Sequence, residues 1–198
     1  DIVRETAGEG RDALTSSVSY VLARGSRVEL LSTNNEAATD AIAFTGNEIA
    51  NTIVGNAGIN LLRGEGRGDS LSGLGGGDRL FGGAGRDALT GGGGADRFYF
   101  DSGLNASTNV DRILDFTAAD TIVLDRTIFS GIAADGALAP GAFRNGVAAH
   151  DSGDRIVYDK ATGQIFYDAD GAGGAAAVLF AKVDAGTLLT SEDFIAVA

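Results

Sequence analysis

Four aspartates recur at a fixed interval of nine residues in the middle of the chain, Asp69, Asp78, Asp87 and Asp96, and Asn60 and Asn51 continue the series backwards. Carboxylates and amides offer hard oxygen donors. A periodic row of them suits a hard divalent cation such as calcium, which gathers several oxygens in a flexible geometry. Any one of these aspartates is equally well explained as a surface residue opening a type I turn. The row as a whole is not, because it keeps phase with a second row: Ile53, Leu62, Leu71, Leu80, Leu89 and Phe98, one large apolar side chain per nine residues. Oxygen donors in phase with core positions point to a built metal site.

Other chemistry is scarce. The 198 residues include no Cys and one His, which excludes disulfides, thiolate metal sites and any zinc site that needs two imidazoles. Arg67-Gly68-Asp69-Ser70 spells an integrin-type motif and Gly68-Asp69-Ser70-Leu71 a hydrolase signature. Both fall on the repeat, since Asp69 and Leu71 occupy its donor and core places. His150 also lacks the aspartate three residues earlier that the hydrolase reading requires, Val147 standing there. Neither Lys160 nor Lys182 sits in a phosphate-binding loop. The net charge of −12 speaks against nucleic acid as a partner. No apolar run is long enough for a membrane span. The first five residues lack the basic and apolar regions of a leader, and the absence of Met reads as a segment taken from a longer chain.

The elements that position the donors follow from the glycines. Seventeen of the 31 lie in residues 46–99, which divide without insertion into six units: GNEIANTIV, GNAGINLLR, GEGRGDSLS, GLGGGDRLF, GGAGRDALT and GGGGADRFY. Every unit has Gly at its first place, a donor at its sixth and an apolar residue at its eighth. A helix or a half-buried strand would bury more than one residue in nine, so the unit is a glycine-rich turn followed by a short strand. A fixed short period means a solenoid, in which each unit packs only against its neighbours.

The last two units match G-G-x-G-x-D-x-U-x throughout, and the block resembles the RTX (hemolysin-type) calcium-binding nonapeptide. Units three and four depart at Arg67 and Leu74, and units one and two carry Asn for Asp. The resemblance implies an all-β fold, a right-handed parallel β-roll with two units per turn, so that units i and i+2 stack. One ladder then holds Asn51, Asp69 and Asp87, the other Asn60, Asp78 and Asp96. It also implies Ca2+ between stacked loops, bound by the sixth-place side chains and by backbone carbonyls of places one to four. In unit three these are Gly64 and Gly66, in unit four Gly73, Gly75 and Gly76, in unit five Gly82, Gly83, Ala84 and Gly85, and in unit six Gly91, Gly92, Gly93 and Gly94. Loops that pair Asn with Asp carry one charge fewer and are expected to bind more weakly. One large apolar residue per nine is a thin core, and facing carboxylates repel until a cation separates them. The roll is therefore expected to fold with its ions.

Residues 1–45 read as a worn continuation, with residues 7–15 close to the nonapeptide and Asp12 either a ligand or a turn residue. Residues 100–198 read as a β-rich cap resembling the segment after the repeats in serralysin-type proteins. That likeness makes Asp111, Asp115 and Asp120 candidate calcium ligands, a structural turn being the alternative. A hairpin is expected across residues 155–167 and a third strand at 175–183. Asp168-Ala169-Asp170-Gly171 opens like an EF-hand loop but has Leu179 where the twelfth-place Glu belongs, so a turn is expected. Acids followed by an apolar tail at residues 188–198 resemble a type I secretion signal, and a terminal edge strand would look the same.

The expected function is thus a calcium-binding module of a type I secreted, extracellular protein, monomeric and not itself an enzyme, with the secretion machinery as partner. Two rivals remain: a surface-layer or adhesive structural module, and part of a carbohydrate-active enzyme on a β-solenoid.

Overall fold

The computed structural model describes residues 2–4 and 10–198, with side chains from residue 10 onward. The worn nonapeptide expected at residues 7–15 thus begins outside the described residues, and its later part forms the strand Asp12–Ser16. Each of the six units supplies one short strand, and successive strands go to opposite sheets. Thr52–Val54, Ser70–Ser72 and Ala88–Thr90 lie side by side in one sheet, Asn60–Gly66, Arg79–Ala84 and Arg97–Phe100 in the other. All are parallel. Thr52 pairs with Ser70 and Ser70 with Ala88, while Leu61 pairs with Arg79 and Arg79 with Arg97, an eighteen-residue step on both sides. The strand of one sheet is therefore the return path for the other, which gives a parallel β-roll.

Alternation within each strand does the packing. Place eight points inward, and Ile53, Leu62, Leu80, Leu89 and Phe98 are fully buried, with Leu71 at 1% exposure. The flanking places seven and nine face out. On the outer face of the second sheet the place-nine residues form their own stack: the Arg63 guanidinium lies 3.8 Å from the centre of the Phe81 ring, which stacks on Tyr99 at 4.1 Å.

Both sheets run on past the repeats. Val28–Thr33 and Asp12–Ser16 extend the first before the repeat block, Ile42–Thr45 and Tyr20–Val21 the second. After it, Asp111–Ile113 joins the first sheet and Thr121–Asp125 the second, each in parallel. Here Ala88 pairs with Arg112 and Arg97 with Thr121, so the step lengthens to twenty-four residues. Residues 101–109 take up the excess in a loop closed by a bridge between Asn105 and Asn109, with the Asn109 side-chain oxygen accepting the Gly85 N–H.

A cap then completes both layers. Val178–Lys182 pairs with Asp111–Ile113 and continues antiparallel through Gln164–Tyr167 and Ile156–Asp159, the latter two forming the expected hairpin. Phe194–Val197 adds in parallel to Thr121–Asp125. Aromatic rings fill the cap: Phe129 meets Phe180 at 5.0 Å and Tyr167 at 5.1 Å, and Phe180 meets Phe100, which ends the strand of the last repeat, at 5.1 Å. Asp168 and Asp170 close a turn, Asp168 accepting the Asp170 N–H and Asp170 those of Gly174 and Ala175. No helix among the described residues is long and apolar enough to cross a membrane.

Candidate metal centre

The eighteen-residue step stacks each sixth-place residue on the one two units away, and hydrogen bonds join them in two ladders. In one, the N–H of Asn51 donates to Oδ1 of Asp69 at 2.7 Å and the N–H of Asp69 to Oδ1 of Asp87 at 2.8 Å. In the other, Asn60 donates to Asp78 and Asp78 to Asp96, both at 2.7 Å. The ladders do not stop at the last repeat. The Asp87 N–H donates to Asp111 at 3.1 Å and the Asp96 N–H to Asp120 at 2.9 Å, so the longer step brings both cap aspartates into line. Asp115 stands beside them, its two carboxylate oxygens accepting the N–H groups of Gly91 and Gly92 at 3.0 and 2.7 Å.

Each repeat carboxylate thus uses one oxygen and keeps another. The Oδ2 atoms of Asp69, Asp78, Asp87 and Asp96 are buried with no hydrogen-bond partner. Four such atoms in phase are not an accident of packing, because a buried carboxylate oxygen without a donor is among the costlier groups to leave unsatisfied. First-place glycines make room for them. A Cβ on Gly64, Gly73, Gly82 or Gly91 would collide with Oδ2 of Asp69, Asp78, Asp87 or Asp96 respectively. At Gly64 and Gly73 the same Cβ would also lie 2.6 Å from the carbonyl oxygen of Gly82 or Gly91 in the next coil. Carboxylate and carbonyl oxygens therefore converge on the space a side chain would fill. Two acceptors cannot satisfy each other; a cation can satisfy both.

Electrostatics agree. Burial pushes the Asp69 carboxyl up to about 8, with the neighbouring Asp87 adding to the effect. Burial likewise raises Asp78 to about 6 and Asp111 to about 8, and raises Asp87 and Asp96. Without a counter-ion Asp69 and Asp111 resist ionising at neutral pH, and ionisation of the others is disfavoured relative to a free carboxylate, because charge is poorly solvated there. Among the described residues no three acidic or imidazole side chains cluster, so a cation in these loops draws on carboxylates of neighbouring coils and on backbone carbonyls. That all-oxygen donor set suits calcium and not zinc or copper.

Places two and four supply the backbone bends. Gly83 and Gly85, and Gly92 and Gly94, have positive φ, and a Cβ on any of them would strike a carbonyl of the coil below. Gly76 does likewise, while Glu65, Arg67 and Leu74 adopt the same left-handed backbone as non-glycines. Glu65, at the second place of unit three, is a further departure from the glycine pattern beside Arg67 and Leu74. Units one and two bend differently. Their second-place residues, Asn47 and Asn56, have no positive φ and send their amides to carbonyls of preceding segments, Asn47 to Ala23 and Ser26, Asn56 to Asp40. Their recurrence, one in each of the first two units, was the available signal. Asp12 is buried, and its N–H donates to the Glu29 carboxylate at 2.7 Å.

A parallel roll with oxygen donors converging between its coils defines a cation-binding solenoid. The family of the RTX calcium-binding nonapeptide repeat matches residues 45–73 and 72–105, with four copies. These residues are calcium-binding RTX repeats. No curated protein matches the chain.

Proposed function

We propose that the chain is the calcium-responsive folding module at the C-terminal side of a protein exported by type I secretion machinery from a Gram-negative bacterium. In the cytosol, where free calcium is scarce, the roll stays open and threadable; outside, near-millimolar calcium closes it. Affinities of roughly 10⁻⁴ to 10⁻³ M, typical of extracellular modules, suit that switch. The single observation that carries this reading is the set of four buried Oδ2 atoms without partners. Asp69, Asp78, Asp87 and Asp96 hold the ions together with the carbonyls of places one to four, and Asp111, Asp115 and Asp120 complete the sites at the junction with the cap. The ion neutralises carboxylates that the fold brings together, and the chain's own part is to gather oxygens and exclude water. RTX repeats are a structural calcium-binding module, which supports a non-catalytic role for this segment, and their usual occurrence in secreted proteins supports the location.

The test is circular dichroism during a calcium titration of wild type, Asp78→Ala and Asp87→Ala. Most of the strand signal of wild type is expected to require calcium, and both variants are expected to need more of it. A wild-type chain whose roll is fully formed in chelator, or variants with an unchanged midpoint, refute the proposal.

A further inference from the structure

Asn51 and Asn60 occupy the same place in successive units and each accepts its own unit's second-place N–H at Oδ1, yet their amide nitrogens go to different surroundings. Asn51 accepts the Asn47 N–H at its Oδ1 and donates its Nδ2 to Val28 O in the coil below, at 2.9 Å each. Its oxygen therefore faces the gap: a Cβ on Gly46 would meet that Oδ1 and also lie 2.6 Å from Gly64 O. Two oxygens thus converge as at Asp69 and Asp78, with the difference that the Asn51 oxygen also accepts a hydrogen bond while their Oδ2 atoms accept none.

Asn60 brings its nitrogen to the gap instead. Its Nδ2 lies within hydrogen-bond reach of four oxygens: Gly58 O at 2.7 Å, Asp78 Oδ1 at 2.9 Å, Asn56 O at 3.1 Å and Gly73 O at 3.2 Å. Three carbonyls and a carboxylate around one buried centre is the kind of oxygen cage a calcium loop presents, with an N–H₂ group at its middle. The equivalence is positional as well. A Cβ on Gly55 would lie 2.9 Å from Asn60 Nδ2 and 3.0 Å from Gly73 O, while one coil further on the corresponding neighbours of Gly73 are Asp78 Oδ2 and Gly91 O. The nitrogen of Asn60 thus stands where the partnerless oxygen of Asp78 stands. Its assignment follows from the bonds: Oδ1 receives the Asn56 N–H at 3.3 Å, and a flipped amide would face four acceptors with an oxygen.

We propose that the Asn60 amide takes the place of the ion in its loop, so that this coil closes on the next without calcium while the loops beyond it require it. The proposal rests on the reading of the repeats as calcium sites. It divides two asparagines that composition treats alike: the Asn60 loop takes no ion, whereas Asn51 still presents an oxygen.

Native mass spectrometry of the full chain in calcium, for wild type, Asn60→Asp and Asn60→Ala, tests it. Asn60→Asp is expected to hold one ion more than wild type, because a carboxylate oxygen replaces the donor inside the cage. Asn60→Ala is expected to hold the same number as wild type and to melt at a lower temperature in saturating calcium. Equal counts for Asn60→Asp and wild type, or an ion lost in Asn60→Ala, overturn the assignment while leaving the other calcium sites standing. Should Asn60→Asp fail to fold, the Asn60→Ala count decides. A wild-type chain that takes up no calcium overturns both this proposal and the function it rests on.

Discussion

Replacing Asp78 by Asn should make the metal-free chain easier to fold and the metal-bound chain poorer in ions. In the native roll Asp78 accepts two bonds from Asn60 at Oδ1, while Oδ2 is buried without a donor close to where the Gly91 carbonyl approaches Gly73. Asp78→Asn keeps the first oxygen and turns the second into an N–H₂ that can donate to that carbonyl. Removing one unsatisfied buried acceptor is worth about 1–3 kcal/mol, more when the acceptor is charged. At tenfold per 1.4 kcal/mol, that is roughly a 5- to 150-fold gain in the folding equilibrium constant. The assay is circular dichroism in chelator, with trimethylamine oxide added until the roll forms, since excluded osmolytes favour burial without supplying an ion. Asp78→Asn should reach half-folding at a lower osmolyte concentration than wild type, and in saturating calcium it should hold fewer ions. Equal or higher osmolyte demand in the variant would refute the view that the partnerless oxygens are what keep the metal-free roll open.

Further outcomes follow from the same geometry. Gly73→Ala puts a methyl group against Asp78 Oδ2 and the Gly91 carbonyl and should cost an ion and raise the calcium midpoint, whereas Gly103→Ala, with nothing within 4 Å of the added carbon, should change neither. Protonation should partly replace calcium. Asp69 and Asp111 are raised to about 8 and Asp78 to about 6 from an ordinary 3.8, so the metal-free fold holds more protons than the unfolded chain over that range. Its stability is then greatest below about pH 4 as far as these groups are concerned, and is lost as pH rises through 6 to 8. Chelated protein should show more strand signal at pH 5 than at pH 8, and an equal signal would contradict the assignment. Leu89, fully buried between its neighbours Leu71 and Ile113, should cost about 2–5 kcal/mol on substitution by Ala, measured by urea unfolding in saturating calcium.

The repeat block was legible because its constraints are local and periodic. Asp69, Asp78, Asp87 and Asp96 announce their stacking through spacing alone, and Leu71 and Leu89 announce the core in the same way. The continuation to Asp111 and Asp120 was visible only as a likeness, since a twenty-four-residue step has no signature until the loop at residues 101–109 is seen to absorb the excess. Turn direction was hidden too. Glu65, Arg67 and Leu74 hold left-handed backbone although nothing in their side chains favours it, because coil stacking and not residue preference sets the bend there. The different destinations of the Asn51 and Asn60 amide nitrogens depend on what surrounds each, Val28 of the coil below in one case and the backbone of Asn56 and Gly58 in the same unit in the other. That is tertiary information which an identical letter at an identical place does not carry.

Because successive units alternate between sheets, parity governs how such a molecule can change in length. Deleting any two consecutive units shortens the roll by one strand spacing, about 4.8 Å, and leaves each later strand on its original side. Deleting one would send every later strand to the opposite sheet, so that Thr121–Asp125 would arrive where Asp111–Ile113 now docks. Viable length variants should therefore differ by eighteen residues, the step seen between Ser70 and Ala88, and never by nine.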